Sequence, residues 1–273
     1  MEHTRTTLEH TTIGFIGYGN MAQAIARGLT AAGVLSAERI VACAAHYDKL
    51  ERATGLIGAR PLHTPQEVVD NADVIIVAVK PHQIETLLEP LAPALAGRGR
   101  IMVSIAAGWD LERYRALFGD LADRIRVQCT IPNTPMAVGK GVLVTEEANT
   151  LDDAGRDLFE RIFSPIALIE RVDTGHMTIA MVIAGCAPAF TAMYLEALGD
   201  AGVEHGLQRA AAYRLAARMI EGVGALHLAE GDHPGVMKDA VCSPGGTTIR
   251  GVARLEKDGF RGAVIDGVDA IMR

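Results

Sequence analysis

A chain of 273 residues that is 49% hydrophobic has enough apolar material for one large core or two ordinary ones, which excludes disorder as its dominant state. Its formal charge of −7 arises from scattered residues, with no Lys/Arg cluster able to neutralise a row of phosphates, so nucleic acid is not an expected partner. Cys43, Cys129, Cys186 and Cys242 lie far apart, without the short spacings of metal sites or redox dithiols. They read as buried small apolar residues in a reducing compartment, and no metal is expected.

Residues 1–11 are polar and of mixed charge, and lack the apolar core and cleavage pattern of a signal peptide. They read as an extension of a protein that stays in the cytoplasm. From residue 12, short β-branched runs alternate with amphipathic stretches, the βαβ pattern of a parallel sheet covered by helices. Strands are expected over 12–17, 39–43, 73–79, 100–105 and 124–128, with helices over 20–32, 81–95 and 111–118. Two further strands, 141–145 and 165–170, flank a helix at 152–163, for a doubly wound sheet of seven or eight strands in a domain spanning 12–170. After Glu170 the β-branched runs give way to alanine-rich stretches of helical period at 174–201, 207–230, 236–241 and 247–273. The second domain, 171–273, is therefore expected to be all-α. Within it, 177–195 runs nineteen residues without a charge, but Gly185, Pro188 and two threonines interrupt it. It reads as a helix buried in a core or a subunit interface rather than as a membrane span. So small a helical domain around so apolar a helix calls for dimerisation through that helix.

Ile16-Gly17-Tyr18-Gly19-Asn20-Met21 follows the first strand and opens the first helix. In that context Gly17 permits a tight turn, Gly19 lets the backbone approach a pyrophosphate, and small Ala22 lets the helix pack closely on the strand. The helix N-terminus offers free N–H groups to the anion, so this is a Rossmann-like dinucleotide turn. A site that prefers NADH would place Asp or Glu at the tip of the second strand to hold the ribose hydroxyls. Here that tip reads Cys43-Ala44-Ala45-His46. With no carboxylate to repel a 2′-phosphate, and with His46 or Lys49 in reach of one, NADPH is favoured and NADH stays open; the alternative is that both are solvated surface residues.

Two further strand-end loops, Ala78-Val79-Lys80-Pro81 and Ile105-Ala106-Ala107-Gly108, should border the cofactor, because ligands of an open parallel sheet lie across its carboxyl edge. Lys80 is either a ribose or phosphate ligand or a solvated helix-start residue. Ile131-Pro132-Asn133-Thr134-Pro135 is either a wall of the nicotinamide pocket or a stiff loop. In the helical half, Cys242-Ser243-Pro244-Gly245-Gly246-Thr247-Thr248 precedes an amphipathic run. Its paired glycines allow N–H groups to converge on a carboxylate at a helix start, while Thr247 and Thr248 could instead simply cap that helix.

These motifs, joined by Ser104-Ile105-Ala106-Ala107-Gly108, His233-Pro234 and Gly259-Phe260-Arg261, occur in one order over nearly the whole chain. In them the chain resembles the pyrroline-5-carboxylate reductases. The resemblance implies reduction of the cyclic imine of 1-pyrroline-5-carboxylate to L-proline. It implies that the substrate carboxylate binds at Ser243, Gly246 and Thr247, and that Thr248, the expected catalytic residue, places its hydroxyl near the ring nitrogen. It also implies homodimers through interleaved C-terminal helices, with a pentamer of dimers as a larger assembly. Three positions depart from the family pattern. Ala184-Gly185-Cys186-Ala187-Pro188-Ala189-Phe190 stands for Ser-Gly-Ser-Gly-Pro-Ala-Tyr, and Thr178-Ile179-Ala180-Met181 for Asp-Ala-Val-Thr. Pro65 stands where the family commonly has an asparagine that would hydrogen-bond the adenosine half. A β-hydroxyacid dehydrogenase is the nearest rival reading, but no lysine occurs between Lys140 and Lys238 to serve as its base. A catalytically silent NADP(H)-binding relative is the third.

Overall fold

The structure, a computed structural model, describes residue 8, residues 10–97 and residues 99–273. Most of the expected 1–11 extension lies outside them; Leu8 is buried, its N–H donating to the Val34 carbonyl. The described chain divides into two compact units between Gly185 and Cys186. The expected passage at Glu170 falls close to the end of the last strand, fifteen residues before that division.

In the first unit, β1 (Ile13–Ile16) leads into α1 (Asn20–Ala31), and β2 (Ile40–Cys43) into α2 (Tyr47–Gly55). A two-residue β3 (Arg60–Pro61) and α3 (Pro65–Asn71) follow, then β4 (Val74–Val77), α4 (Ile84–Leu88) and α5 (Ala92–Leu95). Next come β5 (Ile101–Ser104), α6 (Leu111–Phe118), β6 (Arg126–Pro132) and β7 (Gly141–Asn149), and α7 (Asp153–Phe163) and β8 (Ala167–Val172) close the sheet. Strand order is β3-β2-β1-β4-β5-β6-β7-β8. The sheet is parallel except where β7 runs against β6, so β7 and β8 oppose the other six. Every residue of β1, β2, β4 and β5 is buried, as expected of strands covered on both faces. One core cluster, including Phe15, Ile25, Leu29 and Phe163, forms on one side of the sheet, and a second, including Ile75, Ile84, Trp109 and Tyr114, on the other.

Three expectations are corrected in this unit. The helix over 81–95 is not continuous, because Pro90 and Pro93 remove backbone donors and a 3₁₀ turn, Glu89–Leu91, separates α4 from α5. The strands expected at 124–128 and 141–145 extend to Pro132 and Asn149, pairing antiparallel with a register shift between Gln128 and Thr130. Between 44 and 72, where no elements were expected, the chain forms α2, β3 and α3. The start of α3 is fixed by a capping box in which Thr64 accepts from the Glu67 N–H and Glu67 accepts from the Thr64 N–H.

The helical run expected at 174–201 is interrupted. After α8 (Met177–Met181) comes a π-helical turn, Val182–Cys186, and α9 (Pro188–Glu204) restarts at a proline in its first turn. Then follow α10 (Arg209–Glu230), α11 (Pro234–Ala240), α12 (Thr247–Lys257) and α13 (Phe260–Met272). The single helix expected over 247–273 breaks at Gly259, whose φ of +78° is a left-handed conformation that ends a helix. The second unit is a helical assembly with little core of its own. α9 and α10 pack closely: a Cβ at Gly199 would sit 2.1 Å from the Tyr213 ring, and one at Gly202 would sit 2.7 Å from the Ala212 Cβ. The helical run Thr174–Glu204 is long and apolar enough to cross a bilayer, yet very little of it is buried within the chain. Burial in the chain's own core, one of the two expectations for it, is therefore not what the fold provides.

Candidate functional site

The first unit holds a cavity of about 1090 Å³ along the carboxyl edge of the sheet. It spans the tips of β2, β1, β4, β5 and β6, and so straddles the place where strand order reverses between β1 and β4. A crevice opens there because the helices after β1 and β4 leave on opposite faces of the sheet.

The turn after β1 is shaped by backbone. Gly17 has φ +91°, its N–H donates to the Cys43 carbonyl at 2.9 Å, and a Cβ on it would lie 2.6 Å from the Ala78 carbonyl oxygen. Only glycine fits this position without strain. Gly19 is the N-cap of α1, and a Cβ there would meet nothing within 4 Å. No side chain caps α1, and its first turn carries no acidic residue, so its leading N–H groups are available to an anion. Tyr18, Asn20 and Met21 also line the cavity. The Tyr18 ring itself is buried edge-on to Phe15, and that burial pushes its hydroxyl up to about 12.

The neighbouring loops are tied to this turn and to each other. The Ala78 N–H donates to the Ile16 carbonyl at 2.8 Å, and the Ile105 N–H to the Val77 carbonyl at 3.2 Å. The Trp109 indole N–H reaches across to the Pro81 carbonyl at 3.2 Å, joining the loops after β4 and β5. Buried Ser104 shares a hydrogen bond with the Tyr114 hydroxyl at 2.6 Å and accepts the Ala106 N–H. Ala78, Lys80, Pro81, Ile105, Ala106 and Ala107 accordingly all line the cavity. Cys43 lines it as a neutral thiol, because burial raises its pKa to about 11. No carboxylate is among the cavity residues, whereas His63, Lys80 and His82 are. Such a wall suits a dinucleotide carrying phosphates.

His46 is placed differently from the other expected cofactor residues: it is the N-cap of α2 and lies outside the cavity lining, as does Lys49. The imidazole that lines the wall at the β2 end is His63, two residues past β3, which sequence reasoning missed together with that strand. The Thr64-Pro65-Gln66-Glu67 capping pattern was the available signal for a turn there.

Beside the cavity residues Ile131 and Pro132, buried Asn133 bridges two backbone segments. Its Oδ1 accepts the Val142 N–H at 2.8 Å, and its Nδ2 donates to the Ala184 carbonyl at 2.9 Å. That carbonyl belongs to the π-helical turn, where the regular ladder of the helix is interrupted.

In the second unit, Ser243 to Gly246 form a turn closed by the Gly246 N–H donating to the Ser243 carbonyl at 3.0 Å, with Gly245 at φ +68°. A Cβ on Gly246 would come within 2.4 Å of the Ser243 Oγ. Gly246 is the N-cap of α12, and no side chain caps it. The capping alternative for Thr247 and Thr248 is thus not realised. They occupy the first helical positions, where backbone N–H groups have no partner within the helix. Cys186 and Cys242 are half-buried rather than buried.

Comparison with known proteins matches a different family model to each end of the chain and one kind of reductase to nearly its whole length. Residues 174–273 match the family described as pyrroline-5-carboxylate reductase dimerisation, and residues 12–108 match one described as NADP oxidoreductase, coenzyme F420-dependent. A pyrroline-5-carboxylate reductase of Treponema pallidum (strain Nichols) is 44% identical, over 95% of this chain and 98% of that protein. That of Escherichia coli (strain K12) is 37% identical, over 95% of both chains. The crystal structure of Plasmodium falciparum pyrroline carboxylate reductase with NADP bound is 27% identical and superposes with a TM-score of 0.83, covering 96% of this chain and 95% of that one. With 44% identity over 261 residues, 95% of its length, the chain belongs to the pyrroline-5-carboxylate reductase family.

Proposed function

We propose that the chain reduces 1-pyrroline-5-carboxylate to L-proline with NADPH, the last step of proline biosynthesis. The observation that carries this reading is kinship over 95% of the chain, which takes in both the cavity of the first unit and the Ser243–Thr248 turn of the second. When bound, the nicotinamide supplies a hydride to the imine carbon. Gly17, Gly19 and the start of α1 hold the pyrophosphate, and Lys80, Pro81, Ile105, Ala106 and Ala107 border the rest of the dinucleotide. The substrate carboxylate is held by the Ser243 hydroxyl and by the N–H groups at the start of α12. Because the Gly246 N–H is already used within the turn, Thr247 and Thr248 supply those donors, and Gly246 supplies room.

A protonated imine is already electrophilic. The protein has chiefly to align it and hold its charge, which is proximity and electrostatics more than acid–base chemistry. The Thr248 hydroxyl acts as hydrogen-bond partner or proton relay at the ring nitrogen, since a hydroxyl is a weak general acid.

The working enzyme is a homodimer at least. Leu215, Met219, Val223 and Leu226 make an exposed apolar stripe on α10 at helical spacing, and they lie within the region matched to the dimerisation family. A pentamer of dimers is the larger assembly proposed, and the cytoplasm the location. Following NADPH oxidation with 1-pyrroline-5-carboxylate, and then NAD⁺ reduction with 3-hydroxyisobutyrate, separates this reading from a hydroxyacid dehydrogenase. Turnover in the first assay alone is expected. A silent first assay alongside tight NADPH binding would overturn it in favour of a non-catalytic NADP(H) binder.

A further inference from the structure

We propose that His63 is the residue that reads the 2′-phosphate of NADPH and so sets the cofactor preference of this chain. The inference rests on the cofactor reading above and assigns to it a residue that the glycine motif does not specify.

The position follows from the sheet. In an open parallel sheet the 2′ position of the adenosine ribose lies at the carboxyl tip of the second strand, where an acidic residue would hold the two hydroxyls of NADH. Here β2 ends at Cys43 and continues into Ala44 and Ala45, which line the cavity but offer no side-chain hydrogen bond. The outer neighbour of β2 is β3, paired in parallel with Val41 opposite Arg60 and Ala42 opposite Pro61. One step further, the Leu62 N–H donates to the Ala42 carbonyl at 2.7 Å. The next residue, His63, therefore emerges level with the tip of β2, on the cavity wall.

Its ring is held there. His63 stacks on Tyr47, the first residue of α2, with centroids 4.2 Å apart and planes within 13°. Its backbone N–H donates to the Glu67 carboxylate at 2.8 Å, which fixes the main chain ahead of α3. That carboxylate is spent on the capping box and is absent from the cavity lining. Next along the wall stands Pro65, which can offer no N–H of its own. Among the side chains lining this end of the cavity, the buried Cys43 thiol is only a weak donor, and His63 is thus the one that can donate a strong hydrogen bond to a phosphate dianion. Lys80 and His82 follow β4, on the far side of β1 from β2.

The test is calorimetric titration of the full-length, substrate-free protein with NADPH and with NADH, for the wild type and for His63→Ala, His63→Glu and His63→Arg. Loss of a charge-assisted hydrogen bond to phosphate corresponds to about a tenfold weaker Kd for NADPH in His63→Ala, with NADH weakened at least five times less. His63→Glu is expected to favour NADH, and His63→Arg to keep NADPH ahead. Equal weakening of both cofactors would show that His63 is only a wall or an adenine contact and would overturn the assignment, as would no change in either. Because no substrate is present, an enzyme inactive on 1-pyrroline-5-carboxylate would leave this result standing. Wild-type protein that bound neither dinucleotide would refute the cofactor reading itself. Unchanged circular dichroism and melting temperature identify the variants that are folded and can be scored, and the Arg variant keeps the comparison decisive if the Ala variant loses the stack on Tyr47 and unfolds.

Discussion

In the first unit the strands β1, β2, β4 and β5 are buried along their whole length, with helices on both faces, and the cavity at their tips is built entirely from that unit. In the second unit the contrast is complete. Along α10, Leu215 is 63% exposed and Val223 52%, and only Ala212 and Ala216 are buried. Each unit is helical or αβ according to its sequence pattern, but only one of them closes its own core. A fully buried Leu or Val is worth about 1.5–3 kcal/mol, so leaving such a stripe in water is a standing cost that the proposed homodimer would remove. A self-contained unit can present a finished cofactor cleft; an open one leaves apolar surface for the proposed association to cover.

The sharpest way to break this contrast is to charge the stripe. The pair Leu215→Glu and Val223→Glu should cost roughly 3–6 kcal/mol of association and yield monomers in sedimentation, with turnover lost but NADPH still bound in the first unit. Dimers that survived the double change would mean that another face joins the copies. A smaller loss, with the opposite signature, is expected from Gly17→Ala. The left-handed φ and the contact with the Ala78 carbonyl should together cost about 2–4 kcal/mol, read as a Kd for NADPH raised by thirtyfold or more in an intact dimer.

Asn133→Ala leaves the Val142 N–H and the Ala184 carbonyl without their partner, so chemical denaturation should show about 1–3 kcal/mol less stability. An unchanged unfolding midpoint would show that water replaces the side chain at no cost. Smallest in stability and confined to the chemistry, Thr248→Ala should lower kcat by about tenfold while the melting temperature holds, because α12 is not capped by that hydroxyl. An unchanged kcat would remove Thr248 from the mechanism.

The same contrast explains what could be read from the chain alone. The strands of the sheet were legible because burial on both faces demands unbroken apolar runs such as Val74-Ile75-Ile76-Val77. Gly17 and Gly19 were legible because their task is set by backbone geometry and a neighbouring strand and helix. β3 was not, since two residues, one of them exposed, leave no periodicity to detect. With β3 went His63, whose place on the cavity wall depends on pairing with β2 and is invisible in local sequence; His46, nearer in the chain to the tip of β2, was chosen instead. The breaks in the expected helices at Pro90, Pro93 and Gly259 were marked by residues whose effect is known, yet apolar periodicity continues across each of them. An open apolar face in the helical domain was foreshadowed by composition, but it was expected on the helix over 177–195, and the exposed stripe of α10 was not read.

The proposed reaction is a single hydride transfer from NADPH to the carbon of an imine. Its most direct measurement uses NADPH carrying deuterium at the transferable position of the nicotinamide, with 1-pyrroline-5-carboxylate as acceptor and mass and NMR analysis of the product. The account predicts L-proline bearing one deuterium on the former imine carbon, formed in step with the NADPH consumed. NADPH that binds but is not oxidised, or proline that carries no label, would contradict it.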